Sequence, residues 1–502
     1  MKDVSRRWFI GGLASCGGAL ALHRAFAAAS GAFSSGKANL VFGVVSDIHL
    51  KLGKEGVGFA KAHDDGPLRR ALAYFRDRNV DAVVIPGDIA DSGLAGELRA
   101  FAAIWQDVFP DDKAPDGHPV ERVFVYGNHD WNGVRRGLSV FSDAERCRRE
   151  ALENVSESLW RELFHEDWRK AFRKEVKGYS FFGSHWTVGD CRRKDEIACA
   201  GFTDFFNAEI GKVDPKRPFF FVQHAHPKDT CYGPWAWGAD DGTATKALSS
   251  FPNAVALSGH SHYAILDERS IWQGAFTSIG CGSLCYTCPP ANEFPPRGFE
   301  NAMSTDYKYN ATIDALKLSG CAYDYWVDPG MTVSVYDDRM VVERREFRTG
   351  LPYGDDWVVP LGDERPFAFA ARAKRFAAPE FAPDAKLVLR RQKVRMRGGY
   401  GSGKPSEDKE AFVVNIPQAD AVKGMRPGHY EVAYELAGKR EIRRVAAPVN
   451  LPDGSAHLKD ASQFRLAVED AVAAKAGSVT FTVTPVGFFG HRGRSLEISS
   501  EI

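Results

Sequence analysis

Five clusters of Asp, Asn and His punctuate the chain between residues 46 and 262, and each follows at once on a short apolar run. They are Ser46-Asp47-Ile48-His49 after Leu40 to Val45, Gly87-Asp88 after Ala82 to Ile85, and Gly127-Asn128-His129-Asp130 after Val123 to Tyr126. The other two are Gln223-His224-Ala225-His226 after Phe219 to Val222 and Ser258-Gly259-His260-Ser261-His262 after Ala254 to Leu257. Carboxylate, imidazole and amide donors with no cysteine among them suit divalent ions such as Mn, Fe, Co or Zn. Asp47, His49, Asp88, Asn128, His224, His260 and His262 are more donors than one ion needs, so two ions are implied. Two ions roughly 3.5–4 Å apart need an oxygen between them, and a carboxylate bridges while lowering their repulsion. Asp88, alone after its strand, is the candidate bridge.

The elements that must position these groups are legible around them. Apolar runs of four to six residues with little alternation read as strands buried on both faces, and Leu68 to Arg78 has the spacing of a crossover helix, which gives an α/β layered core. Loops that leave the ends of such strands converge at one edge, where a site can be held rigidly. Gly87, Gly127 and Gly259 are expected to let the backbone turn sharply beside the polar side chains. Residues 142–175, with Trp160, Leu163, Phe164, Trp168 and Phe172 at three- and four-residue spacing, read as an inserted helix or helical pair. Tyr179 to Val188 reads as a strand, and Thr332 to Tyr336 with Met340 to Phe347 as a hairpin across Asp337-Asp338.

In this order the motifs Asp47-x-His49, Gly87-Asp88, Gly127-Asn128-His129-Asp130, His224 and Gly259-His260-x-His262 resemble those of the calcineurin-like metallophosphoesterases, over roughly residues 38–350. The resemblance implies a two-sheet α/β sandwich flanked by helices. It implies that Asp47, His49 and His262 hold one ion and Asn128, His224 and His260 the other, with Asp88 between them. A metal-bridging hydroxide would attack the phosphorus of a phosphoric ester, a diester in preference to a monoester, with two Mn, Fe or Zn ions as cofactors. His129 would stand beside the leaving-group oxygen as general acid, with Asp130 either orienting it or capping the segment that follows. A non-catalytic metal-binding surface protein on the same scaffold is the alternative. Beside and between the last two clusters, His226, Tyr232, Trp235 and Trp237 are candidate substrate contacts. They offer an aromatic platform for a base, sugar or lipid, against the alternative of plain loop packing.

The chain of 502 residues, 44% apolar and 26% charged, has ample material for buried cores, which excludes a disordered or fibrous protein. Residues 1–29 read as a twin-arginine export signal, with Arg6-Arg7 before an apolar run from Trp8 to Leu22 and a cleavage pattern at Ala25-Phe26-Ala27. The protein is thus expected in the periplasm or outside the cell. The run is too short and too rich in glycine to span a bilayer, and no later stretch is long enough, so no transmembrane span is expected. Leu13-Ala14-Ser15-Cys16 resembles a lipobox and leaves a lipid anchor at Cys16 as an alternative. Cleavage after Ala27 leaves 61 basic and 64 acidic residues, a balance that gives no footprint for a nucleic-acid duplex. The expected partner is a phosphate-ester substrate.

The catalytic domain is expected over 38–365, a linker over 366–384, and a smaller all-β sandwich of fibronectin or immunoglobulin type over 385–502. The sandwich rests on the alternating runs Leu387 to Met396, Ala411 to Ile416, Tyr430 to Leu436 and Ser478 to Val486. Ala461 to Lys475 reads either as a helix or as a strand and loop. Cys281-x3-Cys285-x2-Cys288 lacks a fourth ligand at zinc-finger spacing, and the pairing of the cysteines is open.

Overall fold

The computed structural model describes residues 36–60, 63–187, 202–233, 236–285, 328–396, 407–419, 426–447 and 462–502. Residues 1–29, expected as an export signal, with Cys16, the indole of Trp235, and Cys191, Cys199, Cys288 and Cys321 lie outside these residues.

Strands β1 (Leu40–Val44), β2 (Ala82–Pro86), β3 (Glu121–Val125), β4 (Ala171–Val176), β5 (Tyr179–Ser184) and β6 (Phe219–Gln223) come first. They are followed by β7 (Ala254–Ser258), β8 (Ile271–Gln273), β9 (Thr277–Gly280), β10 (Pro329–Val335), β11 (Arg339–Glu346), β12 (Leu351–Pro352) and β13 (Trp357–Pro360). They build two mixed sheets, one in the order β12-β11-β10-β1-β2-β3 with β13 also on β11, the other in the order β4-β5-β6-β7-β9-β8. β1, β2 and β3 are parallel, and so are β5, β6, β7 and β9. The expected hairpin is β10 with β11, and β10 also pairs with β1.

Side chains alternate between two cores along each parallel strand, because successive residues point to opposite faces. Phe42, Val84 and Val125 meet Phe181, Phe220 and Leu257 of the other sheet, with Phe42 edge-on to Phe181 and Phe220 at 5.3 and 4.8 Å. On the opposite face Val83, Ile85 and Phe124 pack on helices α1 (Gly66–Asp77) and α2 (Ala95–Val108). Helices α3 (Ala144–Asn154) and α4 (Glu157–Phe164) are the inserted pair, and Trp160 and Phe164 join that same outer core. Phe172 is not helical; it lies on β4. A spacing of four residues fits a helix and an alternating strand alike, so the aromatic series ran on past the helix end. The second sheet buries Phe182, Phe219 and Phe221 against α5 (Phe202–Glu209) and α6 (Thr243–Leu248). The result is a sandwich of two mixed sheets between helical layers, the architecture that the resemblance implies.

The C-terminal region holds two further all-β sheets. β14 (Val388–Met396), β15 (Glu407–Asn415) and β18 (Gln463–Ala467) form one, and β16 (Pro427–Leu436), β17 (Lys439–Ala446), β19 (Ser478–Gly487) and β20 (Leu496–Glu501) the other. Phe412, Val414 and Phe464 from the first meet Tyr430, Val432, Phe481 and Val483 from the second in one core. The stretch 461–475 contains β18 and then a short helix.

Residues 366–384, expected as a linker, contain helix α7 (Phe369–Arg375). Phe367 belongs to the core between the sheets and Phe381 to the C-terminal core, so the segment is packed at both ends. Arg372 donates to the Glu268 carboxylate, and Arg344 donates to the same carboxylate at 3.1 and 3.2 Å while lying 4.2 Å from the centre of the Trp357 ring. Both guanidinium groups are buried. Phe369 and Phe376 also face Phe489, but the buried side chain of the helix itself is an arginine, which does not mark an apolar face, and so the composition reads as a linker. No helix among the described residues is long and apolar enough to cross a membrane. The described Cys147, Cys231 and Cys281 are free thiols.

Removing one partner of a buried ion pair leaves the other charge uncompensated, so Glu268→Gln should lower stability by about 3–5 kcal/mol in denaturant unfolding. Burial works against ionisation of Glu268, but Arg344 and Arg372 outweigh it and hold the carboxyl below its ordinary range. Its contribution is therefore full above the ordinary carboxylate pKa and is lost as the pH falls through the lowered one. The variant should show a flatter acid limb of stability against pH than the parent chain.

Candidate metal centre

The parallel strands of both sheets end at the same edge, and their loops meet there. Beyond β1 and β2 the two loops continue to pair, with Asp47 N–H on Gly87 C=O at 3.1 Å, His49 N–H on Asp88 C=O at 3.0 Å and Leu50 N–H on Ile89 C=O at 3.0 Å. This pairing helps hold a backbone that is unfavourable residue by residue. Asp47, His49, Asp88, His260 and His262 have φ of 51°, 50°, 53°, 68° and 56°, in the left-handed region that side-chain-bearing residues rarely enter. Five such residues in one site are strain that the surrounding structure must over-determine.

Only one of the three glycines turns as expected. Gly87 has φ +106°, and a Cβ there would stand 2.4 Å from His224 Nδ1. Gly127 and Gly259 are needed for closeness instead: a Cβ would fall 2.1 Å from Asp88 Oδ1 at the first and 2.2 Å from Asp47 Oδ2 at the second.

The two carboxylates are each anchored by one oxygen and aimed by the other. Asp88 Oδ1 accepts the His129 N–H at 2.8 Å, while Oδ2 lies 3.2 Å from His224 Nε2, 3.6 Å from His49 Nε2 and 4.0 Å from His129 Nε2. Asp47 Oδ2 accepts from Ser46 Oγ at 2.7 Å and from His260 N–H at 3.1 Å; Oδ1 faces His262 Nε2 at 3.0 Å. His49 Nε2 and His262 Nε2 are 3.1 Å apart. Asp47, His49, Asp88 and His262 thus form one buried group that could hold a metal ion. Around Asp88, His224 stands with its ring centre 4.8 Å from that of His260. The Asn128 Oδ1 atom is buried with no hydrogen-bond partner. A lone-pair atom left so in a buried site fits the donor set of an ion.

The electrostatics agree with a cation site. Burial opposes the charge on Asp47, but His262 and His224 hold its carboxyl down to about 2. Burial likewise opposes the charge on Asp88, and His224, His129 and His49 keep it well below its ordinary value. Burial, reinforced by His129, pulls His49 down to about 3 and leaves it neutral. His224 is buried too, but Asp88 and Asp47 drive it up to about 9, so an ion bound there must displace its proton. His224 Nδ1 donates to Pro86 C=O at 2.7 Å, which turns Nε2 inward.

Asp91, which the motifs did not single out, stands behind two of these histidines. Its Oδ1 lies 3.3 Å from His49 Nδ1 and 3.5 Å from His129 Nδ1, its carbonyl accepts from His129 Nδ1 at 2.8 Å, and Lys51 Nζ is 2.7 Å from its Oδ2. Asp91, His49 and His129 are close enough to hold an ion by themselves. The Lys51 ammonium already supplies a positive charge there, so an orienting role fits better. The only signal in the sequence was its place three residues after Asp88 in the same turn. Asp130 does not do this work: its oxygens accept the N–H groups of Gly127 at 2.8 Å and Ala90 at 2.9 Å, tying the loops after β2 and β3 together. Burial, with Asp88 nearby, pushes its carboxyl up to about 7.

The expected substrate contacts separate into two kinds. His226 and Tyr232 are each 1% exposed, their rings edge-on at 5.9 Å, and Tyr232 packs on Tyr263 at 4.8 Å. Rings so placed belong to the packing behind the loop and do not meet a substrate arriving from solvent. Trp237 is half exposed and stacks on the His260 ring at 4.6 Å. Trp186, at the end of β5, lies 5.3 Å from the same ring and was missed because no motif surrounds it.

Residues 40–264 match the model of the calcineurin-like phosphoesterase family, and all seven expected ligands fall inside that span, so this part of the chain is a calcineurin-like phosphoesterase domain. Among solved structures, one similar chain is the anchor in the inner membrane complex of Plasmodium, at 11% identity and TM-score 0.37, covering 65% of this chain and 90% of that one. Another is a purple acid phosphatase from yellow lupin (Lupinus luteus) seeds, at 14% identity and TM-score 0.35, covering 64% of this chain and 53% of that one. No curated protein matches the chain.

Two substitutions test this geometry. Gly127→Ala should push the Asp88 carboxylate aside and lose bound metal, read by elemental analysis of the purified chain. Asp91→Asn removes the charge behind His49 and His129 at constant size and should keep the metal while weakening its affinity by about 10–100-fold in a chelator titration.

Proposed function

We propose that the protein is an exported hydrolase of phosphoric esters, with diesters preferred, that works with two divalent ions of Mn, Fe or Zn. The observation that carries this reading is Asp88 Oδ2, a buried carboxylate oxygen faced by His224, His49 and His129 at 3.2, 3.6 and 4.0 Å. Asp47, His49 and His262 would hold one ion, Asn128, His224 and His260 the other, with Asp88 shared. When bound, such ions supply a nucleophilic water at neutral pH and neutralise charge on the phosphoryl oxygens.

The remaining work falls to the chain's own side chains. His129 Nδ1 is committed to the Asp91 carbonyl at 2.8 Å, so Nε2 is the atom that carries the transferable proton. As the ester P–O bond breaks, that proton passes from Nε2 to the leaving-group oxygen. The Asp91 carboxylate, 3.5 Å from Nδ1, steadies the imidazolium before transfer. Because the His129 N–H also anchors Asp88 Oδ1, the acid and the shared carboxylate move as one unit. The twin arginines and the cleavage pattern of residues 1–29 support export, with lipid attachment at Cys16 as the variant of it.

Chelated protein resupplied with Mn, Zn or Fe should regain hydrolysis of bis(p-nitrophenyl) phosphate with a higher kcat/KM than p-nitrophenyl phosphate. Activity that survives chelation undiminished would contradict the reading. His129→Ala should retain metal while losing about 100 to 10,000-fold in rate on an alkyl ester, whose leaving group needs the proton. The loss on p-nitrophenyl esters should be much smaller.

A further inference from the structure

We propose that Trp237 is a specificity-determining residue: a stacking platform for a planar heteroaromatic group, such as a nucleobase, joined to the scissile phosphorus through a spacer. This rests on reading the site as a phosphoester hydrolase. Trp237 is 49% exposed and is the only exposed aromatic side chain among the described residues. Burying an indole is favourable, so one left open beside a reactive centre marks a surface that gains on meeting a ligand. One of its faces is covered by the His260 imidazole, with ring centres 4.6 Å apart and planes 25° apart. Trp186, which is buried, also lies 5.3 Å from the same imidazole.

The platform is preorganised. Gly238, at φ +94°, lets the chain lie flat against the site; a Cβ there would be 3.2 Å from His260 Cδ2. Trp237 N–H donates to Tyr263 Oη at 3.3 Å. Three residues on, Asp240 accepts from Gln223 Nε2 at 3.0 Å and from the N–H groups of Lys228 and Gly242 at 3.0 and 2.9 Å. The indole is therefore held in place before any ligand arrives, and stacking costs little ordering entropy.

The spacing selects the ligand. The phosphorus must sit at the ions that His260 helps to hold, whereas a ring on the open face of Trp237 lies one further layer out, with ring centres about 4.5–7 Å apart. A ring bonded to phosphorus through a single oxygen does not reach that layer while its phosphorus stays at the centre. A base set off by a sugar does. Cationic head groups are a poorer match, because the two metal cations expected at the centre would repel them.

The test uses the metal-loaded full chain and its Trp237→Ala and Trp237→Phe variants. Substrates are the p-nitrophenyl ester of thymidine 5′-phosphate and bis(p-nitrophenyl) phosphate, and adenosine 5′-phosphate binding is read by equilibrium dialysis. In Trp237→Ala the KM for the nucleotide ester should rise on the order of 10–100-fold, with kcat, metal content and the KM for bis(p-nitrophenyl) phosphate unchanged. Adenosine 5′-phosphate affinity should fall in parallel, and Trp237→Phe should recover most of both. An equal rise of KM for both substrates, or none for either, overturns the proposal. A parent chain that hydrolyses nothing with any metal defeats the hydrolase reading instead, and the dialysis result then decides on the platform separately.

Discussion

A carboxylate removed from water must be met by donors or by cations, and the site is arranged around that requirement at Asp88. One of its oxygens is taken by the His129 N–H; the other has three imidazole nitrogens at 3.2–4.0 Å. The nearest, on His224, holds a proton against this charge, and an ion that displaces that proton would be shared by the imidazoles and the carboxylate. The same logic explains Asp47, whose second oxygen is held by Ser46 and His260 so that its first faces His262. Charge, burial and backbone anchoring all resolve if positive ions sit between these groups.

The architecture follows from the need to bring five loops to one edge. Parallel strands put their carboxyl ends on the same side, and two sheets packed through Phe42, Phe181 and Phe220 bring the ends of β1, β2 and β3 opposite those of β6 and β7. Neither sheet has the full set: Asp47, His49, Asp88 and Asn128 come from one, His224, His260 and His262 from the other. The inter-sheet core is thus also what sets the distance between the halves of the site. The glycines at 127 and 259 are part of the same constraint, since a single methyl group at either would collide with an aspartate.

Much of this was readable in the sequence because it depends on local pattern. An apolar run that stops at a polar cluster identifies a strand and the edge it points to, and five in order carry the family resemblance that implies the sandwich. What escaped depends on conformation instead. Asp91 becomes a partner of His49 and His129 only because the turn after β2 folds back, which its neighbours do not announce. Tyr232 and Trp237 share one aromatic stretch in the sequence, yet one is buried and the other open, a difference that residue type and spacing do not announce. The segment 366–384 looked unstructured because Arg372 docks it through charge on Glu268, and charged residues do not mark a helix face that is buried.

Anomalous diffraction from crystals of the full chain grown with manganese would test the central claim most directly. The account predicts two peaks about 3.5–4 Å apart on either side of Asp88 Oδ2, the first among Asp47, His49 and His262, the second among Asn128, His224 and His260. A single peak, or one among His49, Asp91 and His129 with nothing at Asp88, would contradict it.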